Sequence, residues 1–327
     1  MRWVDAMVAE RLDDPPSTHE DVREGGRWTP LQRVKNDALY VLAIAALGAT
    51  RWLPSGVLRG LGRAVGIAAH ALAGAARRTA LANVGRVFPE LDAACRRVFV
   101  RRCFITLGGL LGETVALLRA LCPAPLAITP EARAVIDRAL LEGRGVVFVS
   151  AHLGPWEQVA ASLVTAGVPL VTLARESYDP RFSRLYERLR GANGVRVVWR
   201  GSAGAATSIV RTLRHGGVLG VPMDLRSRVV SCEVPFLGHD APTALGPARI
   251  ALRARAAVVV GTAAPGERGA IVITATRLPA EGQGDAAARA LTARINAEIS
   301  RRILALPHAW VWMHERWTSK ATGESAL

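Results

Sequence analysis

Residues 143–157 read GRGVVFVSAHLGPWE. Val146 to Val149 is apolar at every position rather than at alternate ones, and it is bounded by Gly-Arg-Gly before and Gly-Pro after. A short continuous apolar run of this kind is the mark of a strand covered on both faces. Polar residues then close it: Ser150, His152 and, five residues beyond His152, Glu157. Pro155 suits the first turn of a following helix. Strand, short loop and helix make the opening unit of an α/β sheet.

Working outward, five more apolar runs follow: 168–175, 195–200, 217–224, 256–263 and 270–277. Helical periodicities lie between several of them, at 156–166, 180–190, 203–215 and 244–255, with a closing helix at about 284–305. Upstream, residues 92–120 read as one helix, with Val98, Phe104, Leu107, Leu111 and Val115 in approximate three-to-four spacing. The fold class expected is α/β, with a central mixed, largely parallel sheet flanked by helices. No internal repeat of fixed period is present.

The chain has 327 residues, half of them apolar, and a formal charge of +15. That excludes a disordered chain, a coiled coil and a small disulfide-stapled module. No clean series of 20-residue apolar runs marks a polytopic membrane protein. Forty of the 42 basic residues are arginine, the exceptions being Lys35 and Lys320, as a GC-rich genome produces. The net excess attracts polyanions, whether nucleic acid, anionic lipid, phosphorylated ligands or an acidic carrier protein. Cysteines at 95, 103, 122 and 232 form no metal-binding spacing and read as reduced thiols.

Residues 1–35 form a polar N-terminal arm, without the apolar core of a signal peptide because Asp5, Glu10, Asp13 and Asp14 interrupt it. Ala38 to Thr50 is apolar throughout, and a second apolar stretch runs from Ala64 to Ala76. Arg51, Arg59, Arg63, Arg77 and Arg78 fringe them. Apolar faces with an arginine border suit helices lying on an anionic membrane, so residues 36–80 are expected to be a membrane-associated helical segment. The alternative is a buried helical hairpin. Residues 81–320 form the principal domain and 321–327 a tail.

Ligands of open α/β sheets collect at the carboxyl ends of the strands, which puts His152 and Asp224 first among candidates. The turn after the first strand can fold the Glu157 carboxylate back onto one ring nitrogen of His152, fixing its tautomer and raising the basicity of the other. There is no G-x-S-x-G elbow, no S-x-x-K, no P-loop and no G-x-G-x-x-G. Ser150 is too near His152 in sequence to guarantee a dyad. A base without an enzyme nucleophile implies direct attack by a substrate hydroxyl, which suits acyl transfer from a thioester.

Several blocks, in order, resemble the late acyltransferases of lipid A biosynthesis within the lysophospholipid acyltransferase superfamily. They are Asn83 to Glu90; Arg102, Gly108 and Glu113; His152-Leu153-Gly154-Pro155-Trp156-Glu157; Arg190 with Gly194; Asp224-Leu225-Arg226; Val234 to Gly238 with Thr243 to Leu252; and Trp310 to Trp317. The resemblance covers about residues 36–320. Asn commonly stands where this chain has Pro155, and Gln where it has Leu225; the second departure also resembles the phosphatidylinositol mannoside acyltransferases.

The resemblance implies transfer of an acyl chain from acyl carrier protein or coenzyme A to a glycolipid hydroxyl, on the cytoplasmic face of a bacterial inner membrane, with no bound cofactor, metal or nucleic acid. It implies His152 as base supported by Glu157. Substrate contacts are expected from Arg175, Arg190, Asp224, Arg226, Phe236, Gly238 and Thr243, the arginines matching phosphate geometry. The terminal tryptophans and His314 read as core or membrane-interface residues, and His70, His215, His239 and His308 as structural. A metal hydrolase assembled from His152, Glu157, Asp224 and His239 or His314 is a different reading, although no compact ligand motif supports it. A nucleic-acid-binding protein is another, but no basic stripe interleaved with aromatics is present.

Overall fold

The computed structural model describes residues 28–50, 53–118, 125–226 and 229–317. Four helices come first: α1 (Pro30–Thr50), α2 (Ser55–Leu72), α3 (Gly74–Val87) and α4 (Ala93–Leu118). The α/β part follows as β1 (Ala127–Ile128), α5 (Pro130–Leu141), β2 (Val146–Ser150), α6 (Trp156–Thr165), β3 (Leu170–Ala174), α7 (Pro180–Ala192), β4 (Arg196–Trp199), α8 (Ala205–Arg214) and β5 (Val218–Pro222). A hairpin of β6 (Ser231–Phe236) and β7 (His239–Ala244) leads into α9 (Gly246–Ala254), β8 (Ala257–Pro265), β9 (Ile271–Leu278) and α10 (Gly284–Ala305).

Seven strands form one mixed sheet in the order β1-β9-β8-β2-β5-β3-β4. β8, β2, β5, β3 and β4 run parallel, while β8 and β9 pair antiparallel. The central strand β2 is apolar on both faces because both are covered. Val147 and Val149 join the core that includes Leu291, Ile295 and Ile299 of α10. Val146 and Phe148 join the core with Ile136 of α5 and Val159 and Leu163 of α6. The expected mixed, largely parallel sheet is therefore present, and all six apolar runs are strands in it.

Among the described residues no helix is long and apolar enough to cross a membrane. α1 is 21 residues long, about 31 Å as a helix, but Arg33, Lys35 and Asp37 occupy its first turns. It begins at Pro30, so the boundary expected at residue 36 falls inside it; residues 1–27 of the arm, Arg51 and Cys122 lie outside the described residues. Asp37 of α1 pairs with Arg181 of α7 at 2.6 Å, and Tyr40 meets Phe182 edge-on. Cys95, Cys103 and Cys232 are free thiols.

α2 packs across α4 at glycines. A Cβ added at Gly62 or Gly66 would overlap the carbonyl oxygen of Gly108 or Phe104, and one at Gly108 or Gly112 would overlap that of Gly62 or Leu58. The remaining faces stay exposed: Leu39, Val41, Leu42 and Ile44 of α1, and Val57, Leu61 and Val65 of α2.

Candidate active site

β2 and β5 are neighbours, with Ser150 level with Pro222. Each chain leaves the sheet two residues later, which brings His152 and Asp224 side by side. The Asp224 carboxylate is fully buried and accepts three hydrogen bonds. His152 Nδ1 donates to Oδ1 at 2.9 Å, the His152 backbone N–H donates to Oδ2 at 2.9 Å, and Trp310 Nε1 donates to Oδ2 at 2.8 Å. An ionised carboxylate only accepts, so Nδ1 carries the proton and Nε2 is left as a base. The Trp156 ring stands edge-on to the imidazole at 5.4 Å.

Burial disfavours the imidazolium, but the charge and hydrogen bond of Asp224, with the charge of Glu157, outweigh it and raise the His152 pKa above the ordinary value. Burial likewise opposes charge on Asp224; the charge and hydrogen bond of His152 and the bond from Trp310 hold its carboxyl below the usual range.

This arrangement corrects the sequence reading of both carboxylates. Glu157 does not meet the ring of His152. It lies buried at the start of α6, clamped by Arg190 of α7 through Nε at 2.8 Å and Nη2 at 2.7 Å, and it also accepts from the Tyr186 hydroxyl. Its support of His152 is through space. Asp224 is the orienting partner and has no exposed surface with which to bind a substrate. Arg190 reaches the cavity wall with its guanidinium already engaged: it holds Glu157, donates to Thr172 Oγ1 at 2.9 Å and stacks over the Tyr186 ring.

A cavity of about 730 Å³ opens beside His152 between the sheet, α6 and α7. Its walls are chiefly apolar, with Val159, Leu163, Leu170, Leu185 and Leu189 among them. Arg175, Arg190, Arg200 and Arg226 also line it. Three of these, Arg175, Arg190 and Arg226, are among the expected substrate contacts. The Arg226 backbone N–H donates to His314 Nε2 at 2.9 Å. Burial first, and then the charges of Arg316 and His152, lower the His314 pKa, which suits that accepting role.

Three other expected contacts lie elsewhere. Phe236 is enclosed, packed against Trp310 and Trp317 beneath the Arg316 guanidinium. Gly238, at φ 83°, makes the β6–β7 turn with Leu237 at φ 49°, a conformation glycine supplies at little cost. Thr243 is buried and accepts from Arg316 Nη2 at 2.7 Å and Asn296 Nδ2 at 2.9 Å. All three build the hairpin that supports Trp310, and none lines the cavity. His239 is bonded to the Arg86 carbonyl. Among the described residues no three His, Cys, Asp or Glu side chains stand together as metal ligands.

Tyr186 and Thr172 enter the site unannounced by any spacing in the sequence, while Trp310, expected as a core or membrane-interface residue, is buried and donates to Asp224. The block from Asn83 to Glu90 acquires a physical role: the buried Asn83 amide donates to the carbonyls of Trp312 and His314, tying α3 to the segment that carries Trp310.

The family model described as bacterial lipid A biosynthesis acyltransferase matches residues 29–319. Comparison with curated proteins finds no similar sequence.

Proposed function

The chain belongs to the bacterial lipid A biosynthesis acyltransferase family, whose members are acyltransferases acting on lipid A or a related glycolipid, and from that premise we propose a specific reaction. A fatty acyl chain is moved from the thioester of acyl carrier protein or coenzyme A to a hydroxyl of a lipid A precursor. The observation that carries this reading is a histidine base, oriented by a buried carboxylate, at the edge of a large apolar cavity with arginines in its lining.

The acceptor hydroxyl gives its proton to His152 Nε2 as its oxygen attacks the thioester carbonyl. Asp224 and, through space, Glu157 favour the imidazolium formed. The oxyanion is stabilised by backbone amides or a rim arginine. Collapse of the tetrahedral intermediate breaks the C–S bond, and the departing sulfur takes the proton back from Nε2. An ester and a free thiol result, so no metal or redox cofactor enters the balance.

The +15 charge suits an acidic carrier and a phosphorylated acceptor, with Arg175 and Arg226 as phosphate ligands. The exposed apolar faces of α1 and α2 suit the surface of an anionic bilayer, the cytoplasmic leaflet of the inner membrane. Nucleic acid has no place in this reading.

The purified enzyme, given lauroyl carrier protein and an underacylated lipid A precursor, should yield a product heavier by one acyl chain in mass spectrometry. His152→Ala should lower kcat by about 10²–10⁴ with an unchanged circular dichroism spectrum. Near-normal turnover by that variant would overturn the mechanism, and loss of no acyl chain from the lipids of a deletion strain would overturn the acceptor class.

A further inference from the structure

Two glycines, in the strands that flank β2 on either side, give the cavity its depth. Strand register sorts the lining into rungs. Ser150 and Pro222 stand level near His152; Phe148, Gly220 and Thr172 stand level two residues deeper; Leu170, in register with Val218 and Val146, lies two residues deeper again. Leu163 and Leu189 are apolar wall residues contributed by the two helices. At about 3.3 Å per residue, the first rung stands roughly 13 Å above the last. A chain of carbons with bonds of about 1.5 Å advances roughly 1.3 Å per methylene, so about ten methylenes fill that depth.

Gly220 occupies the middle of a buried central strand, a position that ordinarily favours a bulky side chain. A Cβ there would stand 3.0 Å from Leu170 Cδ1 and 3.4 Å from Thr172 Cγ2, on the cavity side of the sheet. Gly261 works differently. It lies in β8, on the opposite side of β2 from β5, and a Cβ there would overlap Cζ of Phe148 and stand 2.8 Å from Cε2. The Phe148 ring is thus leaned over β8, away from Gly220, in space that Gly261 leaves empty.

We propose that Phe148 and Gly220 set the length of the acyl chain the enzyme accepts, at about ten to twelve carbons, and that Gly261 is a positioning residue that keeps the Phe148 ring out of the chain's path. This rests on the transferase reading, in that the cavity holds the acyl chain. Adding a methyl group at either glycine makes the cavity shallower, directly at 220 and through the displaced ring at 261.

The test compares carrier-protein donors of eight, ten, twelve, fourteen and sixteen carbons. Gly220→Ala and Gly261→Ala should each move the optimum to shorter chains, lowering the twelve-to-eight-carbon ratio of kcat/KM at least tenfold, at about fourfold per excluded methylene. Phe148→Leu should move the optimum to longer chains and restore the ratio in the Gly261→Ala background, a rescue that a purely structural glycine would not give. An unchanged ratio in both glycine variants would overturn the proposal. Binding of brominated free fatty acids of the same lengths, read by quenching of Trp156 and Trp199 in the cavity wall, separates the two readings. Shifted binding lengths without any acyl transfer would sink the transferase reading and keep this one; unshifted binding lengths would sink this one.

Discussion

Asp224 and His152 work as one unit, and their pH behaviour follows from the directions of their shifts. The His152 pKa is raised in the folded protein, so its stabilising contribution is complete below the unfolded value of about 6.5 and is lost as pH rises through the folded value. The Asp224 pKa is lowered, so its contribution is complete above about 4 and is lost as pH falls through the folded value. The pair therefore stabilises the fold most between about pH 4 and 6.5, whereas in the proposed mechanism the base works only once His152 has lost its proton. The optimum for kcat/KM should lie on the alkaline side of the optimum for stability, and the acidic limb of kcat/KM should titrate above 6.5. Asp224→Asn removes the charge that opposes desolvation of the imidazole. Its acidic limb should move to lower pH while the plateau drops by about 10²-fold or more; a limb that stays in place would mean another group titrates there.

Glu157→Gln should also lower the histidine pKa, yet cost less in kcat, because the His152–Asp224 bond is left intact. Glu157→Leu has a different consequence. It leaves the Arg190 guanidinium, only 12% exposed, without its carboxylate, and removing one partner of a buried pair costs about 3–5 kcal/mol. Urea unfolding should show that loss, with part of it recovered in the Glu157→Leu/Arg190→Met double variant. His152 was legible in the sequence because a polar residue closing an apolar strand is a local signal. Asp224 carried the same signal, but its pairing with His152 was not legible, because 72 residues separate the two and their meeting depends on β2 and β5 being neighbours. Spacing favoured Glu157, whose helix turns its carboxylate to α7 instead.

At the scale of elements, the α2–α4 crossing is set by glycines whose missing side chains face backbone. No rotamer change relieves an overlap with a carbonyl oxygen, so Gly62→Ala or Gly108→Ala must push the helices apart, at about 1–3 kcal/mol each. Gly60, two residues from Gly62 and on the exposed side of α2, has nothing within 4 Å of an added Cβ. Gly60→Ala should stabilise by about 0.5–1 kcal/mol from helix propensity alone. Thermal unfolding of the three variants should give opposite signs, and a common sign would refute this account of the crossing. The strands of the main sheet were readable because burial on both faces makes them continuously apolar. The β6–β7 hairpin was not, since Pro235 and Pro242 interrupt its pattern and it pairs only with itself. The residues it holds, Phe236, Gly238 and Thr243, were expected as substrate contacts from the family resemblance; they lie outside the cavity, with Phe236 packed against Trp310.

For the whole molecule, charge and exposed apolar surface act over different ranges. In the proposed membrane contact, the +15 charge would draw the protein toward anionic lipid from a distance of about one Debye length, roughly 8 Å at physiological salt. The exposed faces of α1 and α2 would act only on contact, through apolar area removed from water. Binding to vesicles containing phosphatidylglycerol should therefore have two parts, one that salt removes and one that it does not. Leu42 and Leu61 are 65% and 49% exposed, so Leu42→Asp and Leu61→Asp should leave the unfolding temperature within a degree or two. Each forfeits the burial of a leucine, about 1.5–3 kcal/mol when complete, and adds a charge that anionic lipid repels. The double variant should bind such vesicles at least tenfold more weakly in high salt, where attraction between charges is screened. Equal binding by the double variant and the unmodified protein in sedimentation at high salt would show that these faces do not meet the bilayer.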